Sequence, residues 1–448
     1  MLKRRHFLGF ALGGGATAAL SRPAFAQSPS SGTANGNAYG LVANVAHDQS
    51  EALQHAINDS TRRGQALHLP AGRYLASGLV LPPGATLIGT PGLTLLVQSG
   101  SRPILRAEGT KRLRVSDLVL DGAGRTIGGT RGALLTIRGC EAISVRNIEF
   151  THTPGCGLVL EGCGGAVEGS TFKQIGDAGL FALDSRGLRI DGNAFSDIGN
   201  NAIQVWRSQK GEDGTLVSHN RISHVGARDG GNGQNGNGVN IFRAGAVVVS
   251  ANTIRDCAFS GIRNNGGSNV IVTANSITRS GEVAIFIEFA FEGASIANNM
   301  IDEAAAGISV SNFDSGGRLA SVVGNVVRGI TAKSLSNPDT LPYGIAVEAD
   351  TTVIGNTVEN VPGVGIRLGW GPYLRNVTAS ANVVRESDIG IAVSLVNGAG
   401  KVIVADNIIA GSKTALAGME WQKKVTGDLT RAADGQQANL TFARNRAG

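Results

Sequence analysis

Arg263, Glu288 and Glu348 occupy one kind of position in the chain. They are the outward residues of short apolar segments that open on a small residue: Gly261-Ile262-Arg263-Asn264-Asn265, Ala284-Ile285-Phe286-Ile287-Glu288 and Gly344-Ile345-Ala346-Val347-Glu348. A cation beside a carboxylate suits proton abstraction next to a substrate's own carboxylate. The cation neutralises the substrate and acidifies its neighbouring C–H, and a base takes the proton. Arg263 would supply the cation and Glu288 the carboxylate, with Asn240 and Asn265 as polar clamps and Phe286 and Arg367 as further binding groups. His224 or Asp229 would reach in from the loop before Asn240. Hydrolysis needs two carboxylates instead. Glu288 and Glu348 lie two units apart, ~9.6 Å by strand spacing, near the upper end of the ~6.5–9.5 Å used by inverting glycosidases. The plain alternative is that Arg263 and Glu288 form a surface ion pair worth about 0–1 kcal/mol.

A second strip joins Glu161, Asp184 and Trp206. Carboxylates stacked at strand spacing either repel or hold a cation such as calcium, and an exposed tryptophan stacks on sugar rings. A solvated acidic ladder is the alternative. No cofactor is required by any of these residues, and calcium is the one cation the strip would take.

These positions are set by a repeat of about 23 residues. Each unit begins with an alternating apolar segment and closes on Asn-x-Ile or Asn-x-Val, at Asn147, Ser170, Asn193, Asn220, Asn252, Asn275, Asn299, Asn325, Asn356, Asn382 and Asn407. Segments of four or five β-branched and aromatic residues between Gly, Asn, Asp and Ser clusters are strands. Two or three per unit, without Leu-x-x-Leu-x-Leu, predict an all-β fold: a single-chain right-handed parallel β-helix of about 12 coils. The asparagines form a ladder at a tight turn and are structural. Asp48-Gln49-Ser50-Glu51 opens a short amphipathic helix with Leu53, Ala56 and Ile57 on one face and Gly64 as its stop, a cap for the open N-terminal end. Inserts near 223–237 and 331–343 break the period, and long loops on a rigid scaffold are where binding surfaces are built. They bracket the first strip.

The chain divides into a signal over 1–26, a polar leader over 27–46 and a β-helix domain with its caps over 47–448. Lys3-Arg4-Arg5 precede an apolar run too short to span a bilayer, and Ala24-Phe25-Ala26 is a small-x-small site, so cleavage is expected between Ala26 and Gln27. Paired arginines before Phe7-Leu8 resemble a twin-arginine signal, which implies the twin-arginine machinery as partner of the precursor and a periplasmic or secreted product. Loss of four basic residues with the signal lowers the net charge from +6 to +2, so the basic pI implies no nucleic-acid partner. The mature chain shows no membrane span. Gly is 65 of 448 residues and charged residues are only 17%, as turn-rich stacked coils require. Cys140 and Cys163 are one period apart and would be either a disulfide or an unpaired stack.

The helix, the run Leu69-Pro70-Ala71-Gly72-Arg73-Tyr74 and the Asn-x-Ile coils resemble the pectin-lyase-like right-handed β-helix superfamily over about residues 45–445. With the twin-arginine signal they resemble a bacterial family of exported repeat proteins to which no activity is attached. The resemblance implies an acidic polysaccharide as partner and a lyase, epimerase or hydrolase activity, with non-catalytic glycan binding or an envelope or matrix role as the alternative. The Asp-Asp, Gly-His-Gly and Asp-Pro-His motifs of the polygalacturonase and alginate epimerase types are absent.

Overall fold

The computed structural model describes residues 32–231, 233–312, 316–334, 338 and 341–448. The signal over 1–26 and the Ala26–Gln27 site lie outside them, as does part of the second insert. The chain coils into a right-handed parallel β-helix of about 14 turns, slightly more than the pattern of the sequence gives. Each coil contributes a strand to three walls. Wall A contains Cys156–Glu161, Ala178–Leu183 and Val283–Glu288; wall B contains Gly165–Glu168 and Arg189–Asp191; wall C contains Glu149–Thr153, Thr171–Ile175 and Ala194–Ile198. Neighbouring strands within a wall pair in parallel and one coil apart, as Leu158↔Leu180↔Ile203 does in wall A. Inward residues of all three walls meet in one continuous apolar core. Within it Phe150, Phe172 and Phe195 stack at 4.5 Å between ring centroids.

The corner between walls B and C is held by the asparagine ladder. Asn193 donates its backbone N–H and its Nδ2 to Asn220 Oδ1 at 2.9 and 3.0 Å. The same pairing repeats from Asn220 through Asn252, Asn275, Asn299, Asn325, Asn356, Asn382 and Asn407 to Asn445, one rung beyond those read from the repeat. Asn193 through Asn407 are buried, so these rungs satisfy backbone that would otherwise be desolvated and unpaired. The left-handed residue of the turn is the one before the asparagine, such as His219 at φ 54° and Ala251 at φ 55°. Asn147 is such a turn residue, exposed at φ 50° and bonded to Asp117, and is not a rung. Its coil places Ile148 there, whose N–H is received by the Ser170 hydroxyl.

Helix α1, Ser50–Arg62, covers the N-terminal end with Leu53, Ala56 and Ile57 buried. Its first turn is anchored by Asp48, which accepts the Ser50 N–H, and Gly64 ends it at φ 68°. Residues 33–46, read from sequence as polar leader, are built into this end. Thr33–Asn35 adds a strand beside Ala66–His68, and Leu41 is buried as part of the apolar core. Among the described residues no helix is long and apolar enough to cross a membrane. Cys140 and Cys163 are unbridged and buried, as are the other two cysteines. Burial pushes the Cys163 thiol up to about 11.

Candidate functional site

The outward face of wall A carries the predicted strip, and the pairing register fixes its order. One outward register runs Val159, Phe181, Gln204, Asn240, Arg263, Phe286, Ser309, Ala346, Arg367. One coil differs from expectation. Leu183, not Asp184, stacks between Glu161 and Trp206. The strand opens at Ala178-Gly179 and ends at Leu183, so Asp184 falls into the turn at φ 50° and accepts hydrogen bonds from the N–H and hydroxyl of Ser208. Glu161 pairs with Arg138 at 2.7 Å. The two carboxylates therefore do not stack in register, and among the described residues no cluster of three or more His, Cys, Asp or Glu is fit to hold a metal.

Trp206 is half-buried between Phe181 and Phe242, at 5.4 and 5.5 Å between centroids, and donates its indole N–H to Asn240 Oδ1 at 2.9 Å. Trp206 and Asn240 thus satisfy each other below the main pocket. His224 lies 3.9 Å from Asp256 on the far side of the turn between walls C and A, and Asp229 is held by Asn200 and Arg228. Neither lines the pocket of wall A, because the first insert folds back over Arg263: a side chain at Gly233 would overlap the guanidinium.

Arg263, Phe286, Glu288, Glu348 and Arg367 do converge. They line a pocket of about 460 Å³, together with Glu282, Ser309, Ser311, Tyr343, Trp370 and Gln422. Arg263 is buried and fully engaged. Its Nε and Nη2 form a fork with Glu288 at 2.6 and 3.1 Å, and its Nη1 reaches Glu282 at 3.0 Å. The ring of Phe286 lies 4.9 Å from its guanidinium carbon, and Asn265 donates to Glu288 at 3.4 Å. Burial raises the Glu288 carboxyl above its ordinary value, against the pull of Arg263 and Asn265. The pair is thus not the surface contact of the plain alternative, and it is not a free cation with a free base either. Glu348 accepts the Asn312 N–H at 2.6 Å.

Arg367 is the contrasting group. Its guanidinium carbon lies 4.4 Å from the Tyr343 ring and 5.0 Å from the Trp370 ring, and it forms no hydrogen bond or ion pair among the described residues. Burial lowers its proton affinity, while Tyr343 and Glu348 oppose that shift. Burial likewise pushes the Tyr343 phenol up, with Arg367 pulling the other way. The aromatic flanks are Tyr343, the first residue of one wall A strand, and Trp370, just after the next, both off the outward positions that the repeat singles out. Glu282 was missed for the same reason, since it sits in the turn that leads into its strand.

A larger concavity, about 1020 Å³, runs along the corner between walls C and A over small residues such as Gly176, Gly199 and Gly226. Its charged rim is largely exposed: Arg279 binds Asp256 at 2.6 Å and Glu303 at 3.5 Å, and Asp197 and Lys333 stand in solvent. The smaller pocket holds buried charge and an unpaired cation, and is the candidate site.

Two family profiles match parts of the chain. One is described as a right handed beta helix region and matches residues 156–327; the other, rhamnogalacturonase A/epimerase, pectate lyase-like, matches 34–211. No curated protein sequence matches the chain. Among solved structures, the pre-mature gene product 12 of bacteriophage phi29 is similar at 16% identity and TM-score 0.52, over 86% of this chain and 55% of that one. The A-module of the mannuronan C-5 epimerase AlgE4 of Azotobacter vinelandii is similar at 15% identity and TM-score 0.47, over 88% and 99%. A hyperthermoactive exopolygalacturonase of Thermotoga maritima is similar at 12% identity and TM-score 0.37, over 89% and 94%. At these identities the likeness is one of fold. Coil architecture and both profiles place the chain among the right-handed parallel β-helix proteins.

Proposed function

We propose that the chain binds an acidic polysaccharide in the pocket of wall A, with Arg367 receiving a uronate carboxylate. The observation that carries this reading is the half-buried guanidinium of Arg367, set between Tyr343 and Trp370 without an anion of its own among the described residues. A cation in that setting has lost part of its hydration without a compensating charge, which a bound carboxylate restores. Turnover by elimination or epimerisation follows if a base faces the same sugar. Glu348, which shares the pocket with Arg367, is our candidate for it. The name of the family profile over 34–211 is in keeping with that chemistry. Hydrolysis by Glu288 and Glu348 is disfavoured, because Glu288 is committed to Arg263. That commitment also supports the second reading, a non-catalytic glycan-binding protein using the same pocket. Calcium is no part of either reading.

Calorimetry of the mature protein with oligogalacturonates, oligomannuronates and neutral oligosaccharides tests the proposal, with unsaturated products followed by their ultraviolet absorbance. Saturable binding of an acidic series, lost in Arg367→Ala, is the expected result. Equal binding by wild type and Arg367→Ala would sink it. Turnover lost in Glu348→Gln with binding retained selects the catalytic reading. Export through the twin-arginine route belongs to the same proposal, and retention of an Arg4→Lys/Arg5→Lys precursor in the cytoplasm is its test.

A further inference from the structure

The last coil carries a residue that its local structure does not call for. Strand Thr414–Glu420 turns back antiparallel onto Lys423–Lys424, pairing Met419↔Lys424 and Glu420↔Lys423. The two residues at the tip are Trp421 and Gln422. Tips of this length need positive φ and are normally filled by Gly, Asn or Asp. Trp421 sits there at φ 53° with 49% of its surface exposed, so it carries backbone strain and gains little burial.

Its surroundings give it a direction. The indole lies against the backbone of Gly371, where a Cβ would overlap the ring. It meets Trp370 edge-on, at 5.5 Å and 74°, and Trp370 in turn covers Arg367. Trp421, Trp370, Arg367 and Gln422 line a small concavity next to the main pocket, and Gln422 also lines the main pocket itself. The hairpin beneath is braced: Thr426 accepts the Gly418 N–H at 2.9 Å, Lys424 donates to the Thr414 hydroxyl at 2.9 Å, and Asp428 accepts the N–H groups of Ala415 and Leu416. A strained, exposed aromatic on a braced tip, one ring away from an unpaired cation, is built for a ligand.

We infer that the C-terminal hairpin is part of the binding site, and that Trp421 is the stacking platform for the sugar next to the one whose carboxylate Arg367 takes. The C–H-rich face of a pyranose packs on the indole, while the charged edge of its neighbour turns to the guanidinium. The ligand class is therefore an oligouronate of at least two units. The inference rests on the Arg367 reading and extends it.

Chain length separates the two. Calorimetry is run with a uronic acid monomer and a trimer of the same acid on wild type, Trp421→Ala, Trp421→Phe, Gly371→Ala and Arg367→Ala, each first confirmed as folded by its circular dichroism. Trp421→Ala is expected to weaken the trimer about tenfold and to leave the monomer unchanged. Trp421→Phe is expected to recover most of the loss, and Gly371→Ala to reproduce it by displacing the indole. Wild-type affinity for the trimer in Trp421→Ala overturns the inference and leaves the Arg367 reading standing, provided Arg367→Ala loses both ligands. Arg367→Ala binding both as wild type overturns the Arg367 reading and the inference with it.

Discussion

Arg263 and Arg367 stand at the same outward position of wall A, four coils apart, and share one pocket. Around Arg263 the next coil supplies both carboxylates and the first insert supplies a glycine backbone as lid, so the charge is paired and sealed. Around Arg367 the preceding coil supplies a phenol and the turn after its own strand an indole, and no carboxylate bonds to it among the described residues. Identical residues in identical register therefore do different work. What separates them is the chemistry arriving from adjacent coils and turns.

Four experiments break or sharpen that contrast. Arg263→Leu strands Glu282 and Glu288 in a buried site and is expected to cost about 3–5 kcal/mol, read as a lower urea midpoint. Adding Glu282→Gln and Glu288→Gln should return most of it. A midpoint unchanged by Arg263→Leu would contradict the buried triad. Removing a rung comes next: Asn275→Ala leaves the Asn252 N–H and the Val249 carbonyl without their partner and should cost about 1–3 kcal/mol, with ligand affinity untouched. Arg367→Ala should change stability by only about 1 kcal/mol, the scale of its ring contacts, while removing affinity for acidic oligosaccharides. A large stability loss there would assign Arg367 to the scaffold instead. The smallest effect is that of pH. Neighbouring groups hold Asp191 (Ser218, then His219), Asp256 (Arg279) and Asp350 (Arg375) below the usual carboxylate range. Depressed carboxylates contribute stability that is fully present above their unfolded value, about 3.9. It is lost as pH falls through the folded values. Thermal midpoints should therefore be level at neutral pH and decline below about pH 4, less steeply in Asp256→Asn.

The sequence revealed the scaffold through its most repetitive residues. Ladder asparagines and inward apolar pairs are read directly, since each coil repeats the same demand for a satisfied corner and a filled core. The repeat is ambiguous by one residue at Asn147, where a turn asparagine precedes the rung position, and at Asp184, where Ala178-Gly179 offers two possible small openers. The site was half legible. Arg263, Glu288, Glu348 and Arg367 were found because outward positions are countable. Their states were not, because outward does not mean exposed on this wall. Two satellite apolar clusters lie outside the coil, one joining Tyr343, Ala346 and Met419, the other Val159, Phe181 and Trp206. Turn residues such as Glu282, Gly233 and Trp370 obey no period, and they decide which charges are covered.

The asparagine ladder also sets a timetable. Each rung bonds to the next at a sequence separation of 23 to 38 residues, and the strand pairings beside it keep the same stride. In most β-proteins of this length the decisive contacts join distant parts of the chain, and the search for them slows folding. Here the farthest partner a new coil needs has already emerged just before it. The chain can be assembled as a zipper from its capped end, each coil serving as template for the one that follows, with a difficulty per coil that does not grow as the protein lengthens.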